Sequence, residues 1–127
     1  MSEQTPTDDL DTFSWVEFGV PDLDAAQRFY GAVFGWEFEA FAEGYVVATS
    51  RGRQVCGLYA WTSPAADGVR AYVKVADLER TLERAVAAGG TVERERSAIG
   101  EGQGWWADVR DPAGLLVPII TSNPATP

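Results

Sequence analysis

The sequence predicts an α+β protein built from two tandem βαβββ modules, and three observations lead there. Asp22-Leu23-Asp24 opens a helical stretch that stops at Gly35, and Asp77-Leu78-Glu79 opens another that stops at Gly90, so start and stop both recur after 55 residues. Phe18-Gly19-Val20-Pro21 leads into the first helix as Val73-Lys74-Val75-Ala76 leads into the second. Each helix is then followed by three runs rich in apolar and β-branched residues. A fixed offset between like segments marks a duplicated supersecondary unit. Two copies of one unit also make a seam, where many folds hold a ligand.

The elements follow in order. Residues 1–11 are polar and acidic and read as a disordered tail. Residues 12–20 alternate as a strand, with Val16, Phe18 and Val20 on the face expected to meet a helix and Trp15, Glu17 and Gly19 on the other. Asp22 is the N-cap of the first helix, Leu23, Ala26, Phe29, Tyr30, Val33 and Phe34 form its apolar stripe, and Gly35 is its left-handed stop. Strands are expected at about residues 36–41, 45–50 and 55–61, with Glu43-Gly44 and Arg51-Gly52 as turns. Residues 64–68 form the linker, so the first module runs from about 12 to 63 and the second from about 69 to 121. The second module repeats the order: a strand at 70–75, a helix at 77–88 with Leu78, Leu82, Ala85 and Val86 toward the sheet, then strands at 91–96, 105–110 and 115–121. Asp111-Pro112-Ala113-Gly114 turns between the last two, and residues 122–127 read as a frayed end.

Composition narrows the function classes. At 127 residues the chain is one domain by length, with enough apolar content (46%) for a real core. No run is long enough to cross a bilayer, and Met1-Ser2-Glu3-Gln4 lacks the character of a signal peptide, so a cytoplasmic protein is expected. The lone Cys56 excludes an intramolecular disulfide and, among apolar neighbours, reads as a packing thiol. Net charge is −9. Without Glu3, Asp8, Asp9 and Asp11 of the tail, 15 acidic residues face 10 basic ones, near −5. That balance argues against nucleic acid as a partner, because phosphate contacts need a basic face.

At this point the chain resembles the vicinal oxygen chelate superfamily of glyoxalases, extradiol dioxygenases, fosfomycin-resistance enzymes and bleomycin-resistance binding proteins. The resemblance rests on Val20-Pro21-Asp22-Leu23-Asp24 and the string from Phe29 to Trp36 in the first half, and on Val75-Ala76-Asp77-Leu78, Gly89-Gly90 and Asp111-Pro112-Ala113-Gly114 in the second. It implies curved mixed sheets enclosing a cavity, with the helices on the convex side. It also implies a homodimer, since small two-module relatives often build their cavities between chains. It does not fix a chemistry, because one fold hosts many activities.

Metal-dependent members place a His or Gln seven residues before each helix-opening Asp and a Glu on the last strand of each module. Here those positions hold Trp15, Arg70 and Pro118, and the run from Cys56 to Trp61 contains no carboxylate. The chain has no His at all. Indole, guanidinium and proline side chains offer no lone pair to a cation, so neither a metal nor another cofactor is expected.

What remains on the cavity faces is Trp15, Glu17 and Gly19 on the first strand and Arg70, Tyr72 and Lys74 on the fifth, the offset pairing Trp15 with Arg70 and Glu17 with Tyr72. An indole, a carboxylate, a guanidinium and a phenol can stack a planar ligand and orient its polar edge. Tyr59 and Trp61 share a face as further candidates. Of Trp105 and Trp106 one faces the cavity side and the other the helix side, and alternation alone leaves the choice open. The plain alternatives are that Glu17 and Arg70 merely neutralise each other and that Trp15 fills space. Gly100-Glu101-Gly102-Gln103-Gly104 lacks the following helix of a phosphate loop and reads as a flap. The leading functional reading is a metal-independent protein that binds a small aromatic compound, such as an antibiotic or other secondary metabolite. Against it stand a metal-independent isomerase, epimerase or cyclase with Glu17 as general base and Arg70 or Tyr72 stabilising negative charge, and an accessory subunit.

Overall fold

The computed structural model describes residues 10–61 and 68–126. The acidic tail up to Asp9, most of the linker from Pro64, the end of the first predicted module at Thr62 and Ser63, and Pro127 lie outside them. Ten elements run in chain order: β1 (Thr12–Val20), α1 (Leu23–Phe34), β2 (Glu37–Ala42), β3 (Tyr45–Ser50), β4 (Arg53–Ala60), β5 (Val69–Lys74), α2 (Leu78–Ala87), β6 (Thr91–Ala98), β7 (Trp105–Arg110) and β8 (Leu116–Thr121). This is βαβββ written twice, as the 55-residue offset requires.

The chain divides into two compact units, Trp15–Arg70, and Ala71–Pro127 with Met1–Ser14. In the first the strand order is β2-β3-β4-β1, antiparallel except that β1 and β4 run parallel. In the second it is β5-β8-β7-β6, with β5 and β8 parallel. Each unit is therefore a mixed sheet with one helix: the helical crossover brings the chain back in the direction of the first strand, two antiparallel hairpin steps restore that direction in the fourth, and the fourth strand pairs parallel with the first. The division falls after Arg70 rather than in the linker. The Gly19 amide donates to the Gly68 carbonyl at 2.6 Å, so the start of β5 stays with β1.

Both helices start as their sequences dictate: the Asp22 carboxylate accepts the Ala25 amide and the Asp77 carboxylate the Arg80 amide, each at 3.0 Å. The second helix ends differently from its expected stop. Gly89, not Gly90, takes the left-handed conformation at φ +100°, the Gly90 amide reaches back to the Ala85 carbonyl and the Gly89 amide to Val86. That pair of bonds closes a Schellman motif. Gly90 serves packing instead, since a Cβ there would lie 2.5 Å from the Arg110 carbonyl oxygen.

The cores also differ. In the second unit Leu78 and Leu82 of α2 are buried against Val75, Ala107, Val109 and Ile119. In the first, Ala48, Cys56 and Leu58 are buried with Val16, Phe18, Leu23, Ala26, Tyr30 and Phe38 around them, yet no residue of α1 is fully buried. The apolar stripe read on α1 is wider than the sheet can cover: Phe29, Val33 and Phe34 remain 58%, 54% and 57% exposed. Val86 of α2 likewise points outward. Cys56 sits in the core as a packing residue, and burial pushes its thiol pKa up. Among the described residues no helix is long and apolar enough to cross a membrane.

Just past β8, Asn123 is tied to its own unit. The Asn123 side-chain amide donates to the Ala76 carbonyl at 2.8 Å, and the Asn123 backbone carbonyl accepts from Arg96 at 3.1 Å. Arg96 also grips Glu79 of α2 with two hydrogen bonds of 2.7 Å, and those bonds hold the Glu79 carboxyl below its usual range. A depressed carboxyl stabilises the fold above its unfolded pKa and loses that contribution as pH falls through the folded one. The stability advantage of the wild-type chain over Glu79→Gln is therefore expected at neutral pH and should vanish on acidification below the glutamate range, followed by urea unfolding at several pH values. Glu79 is half exposed, so the advantage is small.

Candidate functional site

The face of the first sheet away from α1 is set by alternation. Val16 and Phe18 pack toward the helix, so Trp15, Glu17 and Gly19 take the opposite face. Cross-strand register places Glu17 beside Gly57 of β4, and Gly57 beside Val47 of β3. One step along, Gly19, Tyr59 and Tyr45 form a second row.

Tyr45 joins the two rows. Its ring leans over Gly57, where a Cβ would collide with the phenol hydroxyl and lie 2.9 Å from Cε1. Only a missing side chain opens that path. The hydroxyl donates to Glu17 Oε2 at 2.7 Å and accepts the Trp15 Nε1 hydrogen at 2.9 Å. Arg70 Nε stands 3.8 Å from the other oxygen, Glu17 Oε1, and the two side chains are only 13% and 15% exposed. Trp15, Tyr45, Glu17 and Arg70 thus form one connected polar group inside a single chain and a single unit.

Aromatic rings surround this group. Tyr45 and Tyr59 stack with planes 12° apart and centroids 6.5 Å apart, Tyr59 meets Trp61 at 6.0 Å, and Phe41 stands edge-on to Tyr45 at 5.6 Å. Gly19 acts like Gly57: a Cβ there would lie 2.9 Å from Trp61 Cβ and 3.0 Å from Tyr59 Cζ. Two glycines let three rings lie low over the sheet. A surface of ring faces with a carboxylate and a guanidinium beside it can stack a planar molecule and bind its donor and acceptor groups.

The remaining predicted residues lie in the second unit, Ala71–Pro127. Trp105 packs on the α2 core and under Arg96, whose guanidinium sits 5.0 Å from its ring. Trp106 takes the opposite face with Asp108, and Arg94 covers its ring at 4.7 Å. The open alternative between the two tryptophans resolves to Trp106 on the face away from the helix. Tyr72 shares that face, since its neighbour Val73 packs on the α2 core. The glycine-rich loop is the tip of the β6–β7 hairpin, closed by the Ile99 amide on the Gly104 carbonyl.

Sequence reasoning missed Tyr45, Phe41 and Gly57, and it put Gly19 on this face without the space it leaves for Tyr59 and Trp61. Tyr45 and Gly57 are visible as residues, but their meeting needs the β3–β4 register and the parallel β1–β4 pairing. Neither is local.

The chain belongs to the glyoxalase/bleomycin resistance protein/dioxygenase superfamily, whose model matches residues 12–119. It is 27% identical over 121 residues to "Putative glyoxylase CFP32" of Mycobacterium bovis, an alignment covering 88% of this chain and 46% of that protein. The chain thus spans just under half the length of that relative. Its fold is similar to a superfamily member from Vibrio splendidus 12B01, with TM-score 0.64, 21% identity and coverage of 87% and 99% of the two chains. It is also similar to the Mn(II)-bound glyoxalase from Novosphingobium aromaticivorans, with TM-score 0.62 and 24% identity over 89% of this chain and 39% of that one.

The residues present do not fit a divalent metal ion such as the one in that glyoxalase. Trp15, Arg70 and Pro118 stand at the positions read as ligand sites, and none offers a donor atom to a cation. The nearby carboxylate, Glu17, is engaged by Tyr45 and Arg70. Among the described residues no three His, Cys, Asp or Glu side chains come together.

Proposed function

We propose that this protein binds a small planar aromatic or conjugated molecule without a metal, and that sequestration of that molecule, an antibiotic or other secondary metabolite, is its task. The observation that carries the reading is the connected group of Trp15, Tyr45, Glu17 and Arg70 within a wall of Phe41, Tyr59 and Trp61. Each Glu17 oxygen has a partner, which makes the carboxylate an orienting group rather than a free base.

A panel of planar aromatic compounds titrated against intrinsic tryptophan fluorescence tests this directly. At least one is expected to quench strongly and to be recovered unchanged. Glu17→Gln is expected to weaken that compound about tenfold, because it keeps an acceptor for Tyr45 but loses the charge facing Arg70. Unaltered affinity in Glu17→Gln, with only stability reduced, would make the Glu17–Arg70 pair purely structural.

The second reading, a metal-independent isomerase, epimerase or cyclase, is favoured by the 2.7 Å hydrogen bond between Tyr45 and a carboxylate largely shielded from water. It makes Glu17 the base and Tyr45 or Arg70 the group that holds developing negative charge. Conversion of the bound compound by the wild type, abolished in Glu17→Gln with binding retained, would decide for it.

A further inference from the structure

We infer that the ligand of the first unit is an elongated molecule with at least two rings in one plane, and that Phe41 is the residue that selects for its length. This deepens the reading of that unit as a site for a planar compound and rests on it. The carrying observation is the layout of four rings, which follows the strand order. Phe41 is on β2, Tyr45 on β3, Tyr59 on β4, and Trp61 just past β4, where its amide donates to the Val20 carbonyl of β1 at 2.7 Å. Neighbouring centroids in this row stand 5.6, 6.5 and 6.0 Å apart. A single six-membered ring stacks on one of them at a time.

The middle of the row differs from its ends. Tyr45 and Tyr59 lie low over the sheet, across Gly57 and Gly19, and their planes are only 12° apart, so they offer two parallel faces side by side to one flat molecule. Both are half-buried. Phe41 and Trp61 are turned 62° and 58° from their neighbours and are 55% and 37% exposed. Two inclined rings therefore bracket a floor two rings long.

Phe41 reaches its place through an irregularity of the strand. Ala40 pairs with Val46 and Ala42 with Tyr45, so β2 takes two steps where β3 takes one, and Phe41 is the extra residue of a β-bulge. A bulge re-aims a side chain, and this one delivers a phenyl ring to Tyr45. The helix-side core does not use it, since β2 packs there through Phe38. The Glu17 carboxylate, with the Tyr45 hydroxyl and Arg70 on it, lies beside the same row. A ligand held there by one hydrogen-bonding group gains a further contact for every ring of the row that its own ring system reaches.

Equilibrium dialysis of the full chain against benzamide, 2-naphthamide and anthracene-2-carboxamide is the test. The three share one group, a donor toward Glu17 and an acceptor toward Arg70, and differ in ring count. Each added ring is expected to tighten binding to the wild type about tenfold, because more apolar area leaves water. Phe41→Ala should cut the preference for the three-ring amide over benzamide about tenfold, and Phe41→Tyr, which keeps the ring, should retain it. If Phe41→Ala fails to fold, Phe41→Leu takes its place with the same expectation. Binding of none of the three would overturn the planar-ligand reading and this inference with it. Benzamide bound as tightly as the larger amides, or a length preference that survives loss of the Phe41 ring, would overturn the inference and leave that reading standing.

Discussion

Gly57→Val is expected to destabilise the protein by about 2–3 kcal/mol and to dismantle the candidate site in the same step. The cost does not come from the backbone, because Gly57 has no positive φ and valine is favoured in strands. It comes from Tyr45, whose hydroxyl and ring edge occupy the space a side chain at 57 would take. Once displaced, Tyr45 gives up its bonds to Glu17 and Trp15, and a mostly buried carboxylate keeps only what Arg70 and its other neighbours provide. Urea unfolding measures the stability, and the emission of Trp15, whose indole loses its acceptor, reports the site. The explanation is specific and so can fail. In a Tyr45→Ala background the same substitution should cost far less, giving a coupling of at least about 1 kcal/mol in the double-mutant cycle. Additive effects would show that Tyr45 is not what glycine accommodates.

Leu78→Ala is expected to cost about 3–4 kcal/mol, a large part of the 5–15 kcal/mol by which domains of this size are usually stable. Leu78 is 0% exposed, at the start of α2, and belongs to the cluster of Val75, Leu82, Ala107, Val109 and Ile119. Its counterpart in the duplication is Leu23, at the start of α1 and only partly buried. Leu23→Ala should therefore cost about half as much, because less apolar surface is returned to water and a half-open site leaves a smaller cavity. Equal losses from the two variants in urea unfolding would contradict the packing difference between the helices. Hydrogen exchange offers a second check, since the Leu78→Ala loss should open α2, β7 and β8 first.

The two substitutions probe different kinds of information in the chain. Leu78 could be placed in the core from its spacing with Leu82 and Ala85, a pattern contained within ten residues. Tyr45 could not be placed beside Glu17 in that way, because 28 residues and two strand pairings separate them. The tryptophan pair lies between these cases. Strand alternation puts Trp105 and Trp106 on opposite faces, and Ala107 and Val109 share the face of Trp105, so the apolar company Trp105 keeps was a usable signal that it turns toward the helix. The α1 stripe misled in the other direction. Six apolar residues at helical spacing read as one buried face, and the sheet beneath covers only part of them.

By itself the sequence determined the duplication, the order of elements, both aspartate N-caps and the absence of any histidine. Each of these is a local or compositional property, carried by hydrogen bonds that span a few residues or by the presence or absence of a donor atom. Only the tertiary structure decided that Gly57 makes room for Tyr45, that Arg70 joins Glu17 within one unit and that Phe29, Val33 and Phe34 stay uncovered. Those depend on which strands pair, in which register, and on how much helix a sheet can cover. Such quantities exist only once distant segments have been brought into contact.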